Sequence, residues 1–185
     1  MIRHDLPPPC LAVLPSSIQG RGVFVRQAVR RGTVLLRLDD SRVIDSAHPL
    51  RPEDGESALH LDFLPDGTVI LMPSPECYIN HSCDPNCYIY SVCRERFVLT
   101  KRDLASGEEV VIDYALNAVN GDVWECRCGA SHCRGSHQCD FFNLPVDVQC
   151  ENLPYLDPWF AATHASRLQQ LLAASYGGPA HKTGF

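Results

Sequence analysis

Three thiols fall within eight residues in the segment Cys126-Arg127-Cys128-Gly129-Ala130-Ser131-His132-Cys133, and no other stretch limits the possible folds of this chain as strongly. The wider segment Cys126 to Cys139 is rich in Cys, Gly, Ser and His and lacks apolar periodicity. It cannot build a core alone, so a bound metal is the expected source of its order. A tetrahedral zinc site takes four ligands at about 2.0–2.3 Å, mostly Cys sulfur or His nitrogen. A short C-x-C can wrap one ion, and Gly129 allows the sharp turn behind it. Unligated thiols on a surface loop are the competing reading. They fit poorly, because free Cys is usually buried and this segment offers no apolar cover. Spacing alone does not choose the fourth ligand: His132, His137, Cys139 and the distant Cys83 are all candidates.

The chain has ten cysteines in 185 residues. Its opening, Met1 to Pro9, lacks the apolar stretch of a secretory signal, and no apolar run is long enough to cross a bilayer. The expected location is the cytosol, or the nucleus if the cell has one, with no membrane partner. Thiols in such a reducing compartment are expected as ligands or buried groups rather than disulfides. A content of 45% hydrophobic and 21% charged residues fits one soluble globular domain. The net charge of −6 argues against direct nucleic-acid binding, which needs clustered Lys and Arg. A basic peptide suits the acidic balance better.

Short β-type runs dominate to about residue 114: 11–14, 22–25, 33–38, 68–71, 87–92, 97–99 and 109–112. Turn residues separate them, and Pro65-Asp66-Gly67 predicts a hairpin or tight loop between two runs. Residues 39–56 are polar and expected to be irregular. Asp157-Pro158 predicts the start of a helix over 158–175, with Asp as N-cap, Pro at the first position and Gly177-Gly178 as the stop. Its apolar side would carry Phe160, Leu168, Leu171 and Leu172. The expected class is α+β, mostly β.

The segment Tyr78-Ile79-Asn80-His81-Ser82-Cys83-Asp84-Pro85-Asn86 sets polar side chains between an apolar residue and a strong turn signal. By itself an Asn-His pair at a strand end reads as a satisfied structural pair. Three further motifs, in order, change that reading. Gly20-Arg21-Gly22-Val23-Phe24 resembles the glycine-rich opening of a SET domain. Asn80-His81-Ser82-Cys83 is similar to that family's asparagine–histidine–serine–cysteine motif, and Gly107-Glu108-Glu109-Val110-Val111-Ile112-Asp113-Tyr114 to its run ending in aspartate–tyrosine. Cys126-x-Cys128-x4-Cys133 resembles the post-SET zinc element. Together these motifs span about residues 10 to 137. The first is common elsewhere; the other three, in this order and spacing, are specific.

The resemblance implies a SET fold of small twisted sheets with a pseudoknot, followed by a post-SET zinc loop and a C-terminal helix. It divides the chain into a SET domain over 1–116, a zinc segment over 117–145 and a C-terminal extension over 146–185. It brings Asn80 and His81 beside Tyr114 and assigns the fourth zinc ligand to Cys83, with Cys126, Cys128 and Cys133. The implied activity is transfer of a methyl group from S-adenosylmethionine to a lysine of a histone or another protein. Arg21, Gly22, Tyr78, Asn80, His81 and Tyr114 would bind the cofactor, with Tyr114 as catalytic residue. Trp124 and the segment 141–144 would close over cofactor or substrate, or pack in the core.

Free lysine has a pKa near 10.4, so about one in a thousand is neutral near pH 7.4. No general base stands out in the motifs. A sulfonium about 4 Å from an ammonium repels it by about 4 kcal/mol at an effective dielectric near 20. That lowers the lysine pKa by roughly three units, and water can carry the proton away. Two departures from the family pattern bear on the product and the groove. Ile112 stands where relatives often have Phe or Tyr, which predicts that more than one methyl can be added. No tyrosine lies between Phe24 and Cys77, which leaves His60 or Phe63 to line the channel or simply to pack. Two other classes compete with the enzyme. A catalytically idle SET-like peptide-binding module would bind cofactor without transfer. A zinc-ribbon nucleic-acid binder would need a basic face, and the cluster offers only Arg127 and Arg134. Oligomeric state is not legible.

Overall fold

A computed structural model describes residues 11–176. Eleven short strands and three helices are formed within them. Strands β1 (Leu11–Pro15), β2 (Arg21–Val25), β9 (Glu109–Ile112) and β6 (Asn80–His81) form one sheet in that spatial order. Strands β3 (Val34–Arg37), β8 (Glu95–Thr100) and β7 (Cys87–Val92) form a second sheet. Two hairpins stand apart: β4 (Leu61–Phe63) with β5 (Val69–Leu71), and β10 (Val123–Glu125) with β11 (Ser136–Gln138). The helices are α1 (Val146–Asn152), α2 (Pro158–Thr163) and α3 (Ala165–Tyr176).

Side-chain alternation explains the strands. In β8, Arg96, Val98 and Thr100 face inward and their neighbours face outward, the period of two expected of a pleated strand. The inward Arg96 is tolerated because Asp40 and Asp62 both hold its guanidinium. In β2, Val23 and Val25 are buried, and Val110 of β9 faces Val23 across the ladder. These valines meet Leu38, Ile79, Cys87, Val98 and Leu104 in a first core.

A second core lies toward the C-terminus. It gathers Ala115, Leu116, Phe141, Leu144, Leu156, Phe160 and Leu168. These residues lie on both sides of the expected divisions at 116/117 and 145/146, so the extension packs directly beneath the segment that follows Tyr114.

All seven β-type runs read from the sequence form strands, with ends shifted by a residue or two. The Pro65-Asp66-Gly67 turn does close a hairpin, with Gly67 at φ 85° and Thr68 N–H on Asp66 Oδ1. The late helix differs from expectation. Asp157 caps α2 through Trp159 N–H, but the chain turns at His164 and restarts as α3. The turn brings Leu168 into the second core, where His164 packs its ring on Phe160 at 4.5 Å. The apolar face expected of one straight helix therefore ends at Leu171, and Leu172 is 37% exposed. Helix α1 was not expected: its seven residues follow Pro145 with no side-chain cap. Met1 to Pro9 and Gly177-Gly178 lie outside the described residues. Among the described residues, no helix is long and apolar enough to cross a membrane.

Candidate active site and metal centre

The two motifs meet through a parallel pairing of β6 and β9, with Asn80 opposite Val111 and His81 opposite Ile112. Ser82 N–H extends the ladder to Ile112 O at 2.9 Å. Tyr114, two residues past the end of β9, turns back on β6. Its hydroxyl donates to Ile79 O at 2.6 Å, and its own N–H donates to His81 Nδ1 at 3.2 Å. Burial pushes the Tyr114 phenol up to about 12, helped by the nearby Cys139 and Asp62. The hydroxyl therefore keeps its proton at neutral pH and is no general base. With that proton held by Ile79, its lone pairs remain to accept a hydrogen bond.

His81 is committed on both ring nitrogens. Accepting the Tyr114 N–H requires a lone pair on Nδ1 and leaves the ring proton on Nε2, 3.5 Å from Cys83 Sγ. Asp113 Oδ1 lies 3.6 Å from Nδ1, too far to compete with that bond. Asn80 is committed too. Its amide nitrogen donates to Gln19 O at 3.3 Å, Arg21 O at 2.9 Å and Glu109 Oε1 at 2.8 Å. These bonds draw the loop before β2 against β6.

A cleft of about 480 Å³ opens at this junction, within the range of small-molecule sites. Asn80, His81 and Tyr114 line one part, Ile18 and Gln19 another, and the segment from Trp124 to Cys128 a third. Trp124 closes an aromatic trio, its ring 6.0 Å from that of Tyr114 and 6.3 Å from that of His81. Three other expected residues do not line the cleft. Arg21 lies over the Tyr78 ring at 4.9 Å, Tyr78 packs on the first core, and Gly22 faces the Glu109 carboxylate. His60 packs edge-on against Tyr78, while Phe63 is 67% exposed. Phe141 and Phe142 belong to the second core rather than the cleft. Ile112 is partly buried against the first core.

The sulfurs of Cys83, Cys126, Cys128 and Cys133 all lie within 4.8 Å of one another. Bonds of about 2.3 Å to a tetrahedral zinc would put sulfurs about 3.8 Å apart, and Cys83 and Cys126 stand at 3.7 Å. The donor set and spacing fit one zinc ion. Burial raises the Cys83 and Cys126 thiols. Burial also acts upward on Cys128, but the N–H groups of Cys83 and Ala130 together with hydrogen bonds from Cys126 and Cys133 bring that thiol down to about 7. His132 is exposed and outside the cluster, and the half-buried Cys139 also lies outside it; the His137 side chain lies outside the described residues.

Reading the motifs did not single out Glu109, Asp113 or Arg134 as site residues. Glu109 and Asp113 sat inside a quoted motif and Arg134 beside a thiol, but nothing in spacing says which side chains they meet.

The SET domain model matches residues 20–115, just over half of the chain. The chain belongs to the SET domain family. The match contains Asn80, His81, Cys83 and Tyr114; the other three thiols lie beyond it. This SET domain chain is 32% identical over 124 residues to the histone-lysine N-methyltransferase TRX1 of Oryza sativa subsp. japonica, covering 65% of the chain and 10% of that protein. It is 33% identical over 111 residues to the histone-lysine N-methyltransferase ATX2 of Arabidopsis thaliana, covering 58% of the chain and 8% of the relative. It is 32% identical over 111 residues to the histone H3-lysine(4) N-trimethyltransferase ATX1 of Arabidopsis thaliana, with the same coverage of 58% and 8%. The SET domain chain thus spans about a tenth or less of the length of these relatives.

Proposed function

We propose that this SET domain chain is an S-adenosylmethionine-dependent protein-lysine N-methyltransferase with a structural zinc. The observation that carries the reading is the Tyr114 hydroxyl, its proton held by Ile79 O at 2.6 Å beside a cleft walled by Asn80-His81 and the thiol loop. The names of the relatives support it, and a histone is the first substrate to test. A histone substrate would place the activity where chromatin is.

When bound, S-adenosylmethionine would supply an electrophilic methyl group on a sulfonium. Tyr114 then acts as an acceptor: its fixed lone pairs take an N–H of the incoming amine and aim the nitrogen lone pair, a positioning effect that costs no reorganisation at the moment of reaction. Asn80 retains only its amide oxygen for a ligand, because its amide nitrogen is spent on the fold and its main chain on the pairing with β9. His81 offers its main chain and ring face for the same reason. The Trp124–Cys128 segment forms one wall of the cleft. Arg21, Gly22 and Tyr78 shape the cofactor's surroundings through the loop that Asn80 holds. Cys83, Cys126, Cys128 and Cys133 hold the zinc. The division into 1–116, 117–145 and 146–185 belongs to the same reading.

The test incubates the protein with labelled S-adenosylmethionine and histones or cell lysate, beside Tyr114→Phe. Labelled lysine is expected from the wild type and at least a hundredfold less from the variant, about the scale of one lost positioning contact. Equal labelling removes Tyr114 from the mechanism. Cofactor binding with no transfer to any lysine favours an idle peptide-binding module instead.

A further inference from the structure

Arg134 touches both the thiol cluster and the turn that carries Tyr114. Its main-chain N–H points at Cys83 Sγ at 3.4 Å, while its guanidinium grips Asp113 through two bonds of 2.9 and 3.0 Å. Asp113 is 3% exposed. Its Oδ1 accepts the Ala115 N–H at 3.0 Å, and its main-chain oxygen accepts the Leu116 N–H at 3.0 Å. Asp113 thus shapes the turn that begins at Tyr114, and the residue after the last thiol of the metal loop balances its charge. A second line runs from the same sulfur, Cys83, through His81 to the Tyr114 N–H.

We propose that Arg134 is a positioning residue: through Asp113 it transmits the seating of the metal loop to Tyr114. The proposal rests on the cleft being a methyl-transfer site. A bidentate guanidinium–carboxylate pair fixes orientation as well as distance. With the loop seated, the pair locks the turn that aims Tyr114. With the loop lifted, Asp113 loses the Arg134 guanidinium, and the Trp124–Cys128 wall and the tyrosine turn loosen together. A purely structural ion pair lowers global stability and leaves the folded cleft as it was.

The test uses the full chain in a Trp159→Phe background, where Trp124 is the single remaining tryptophan. Trp124 reports on the cleft because its ring stands 6.0 Å from that of Tyr114. Zinc-loaded Arg134→Met is expected to keep one zinc per chain and an unchanged far-UV spectrum. Its Trp124 emission should shift toward that of the zinc-stripped parent. Its kcat should fall about tenfold or more with little change in the KM for a lysine peptide, and Arg134→Lys should recover part of the loss. Adding Asp113→Asn to Arg134→Met should cost little more, since both act through one contact. Parental emission and kcat in zinc-loaded Arg134→Met overturn the proposal, as does strict additivity in the double variant. Should Arg134→Met fail to fold, the uncharged pair Asp113→Asn/Arg134→Gln replaces it, and parental values there overturn the proposal equally. If the wild type methylates no lysine at all, the functional reading fails, and the Trp124 emission still decides the role of Arg134.

Discussion

Asn80 Nδ2 and Glu109 Oε1 meet at 2.8 Å, and the same carboxylate takes the Ser16 hydroxyl at 2.8 and 2.9 Å. One acidic side chain from β9 therefore ties β6 and the loop after β1 into a single polar knot. Gly22 lies directly over it.

A Cβ at Gly22 would stand 2.1 Å from Glu109 Oε1 and 2.7 Å from Glu109 Cδ. Gly22→Ala is expected to expel that carboxylate from Asn80 and Ser16 and to cost about 1–3 kcal/mol. Denaturant unfolding measures it. In a Glu109→Ala background the same substitution should cost much less, because only the 3.1 Å approach to Ser16 Cβ remains. Equal costs in both backgrounds would rule out the carboxylate as the reason for glycine.

Metal removal should both destabilise the fold and open the cleft. Zinc binding is linked to folding, and the loop that carries Cys126 and Cys128 also walls the cleft. A chelator is expected to lower Tm and to weaken S-adenosylmethionine binding, read by calorimetry. Zinc content then separates the fourth-ligand candidates. Cys83→Ser should fall below one ion per chain, whereas Cys139→Ser, outside the four-sulfur cluster, should retain one.

Glu76 gives the fold a pH dependence. Burial raises its carboxyl from 4.5 to about 7, with the negative charges of Asp40 and Asp39 adding to the effect. Because the folded state holds this proton more tightly, the stabilisation is full below pH 4.5 and is lost as pH climbs through about 7. The shift corresponds to about 3 kcal/mol. Glu76→Gln keeps an oxygen for the Asp39 N–H without the buried charge. Relative to wild type it should gain stability between pH 5 and pH 8 by up to about that amount. A difference that does not vary with pH would count against the assignment.

Ile112 sits opposite His81 in the ladder, two residues before Tyr114. An aliphatic side chain leaves more room than an aromatic one and supplies no hydroxyl, so more than one methyl group per lysine is expected on a competent peptide. Ile112→Tyr should push the product toward monomethyl-lysine. Mass spectrometry after exhaustive turnover measures both, and wild-type product that stops at one methyl sinks the idea.

The strands were legible because period-two burial, as in Val23 and Val25, leaves a visible trace between Gly and Pro punctuation. The contact of Tyr114 with Ile79 and His81 was legible only through the family resemblance, since nothing in residue order announces the parallel pairing of Asn80 with Val111 and His81 with Ile112. The same holds for Cys83 as partner of the three clustered thiols. The commitments of Asn80 and His81 to the fold were hidden, because a side chain's partners depend on register. The break at His164 was hidden as well. No Gly or Pro marks it, and it follows from the packing of His164 on Phe160. Helix α1 lacked both a side-chain cap and the length that makes a period readable.

The cleft draws one wall from residues 18–19, another from 80–81 and a third from 124–128. During synthesis these arrive far apart in time. A nascent chain that has emerged only as far as Ile112 can pair its strands, yet it has neither Tyr114 nor the covering loop. The pocket can therefore be completed only after residue 128 has emerged, and an ion held by Cys83, Cys126, Cys128 and Cys133 would fasten that later loop to the earlier strands.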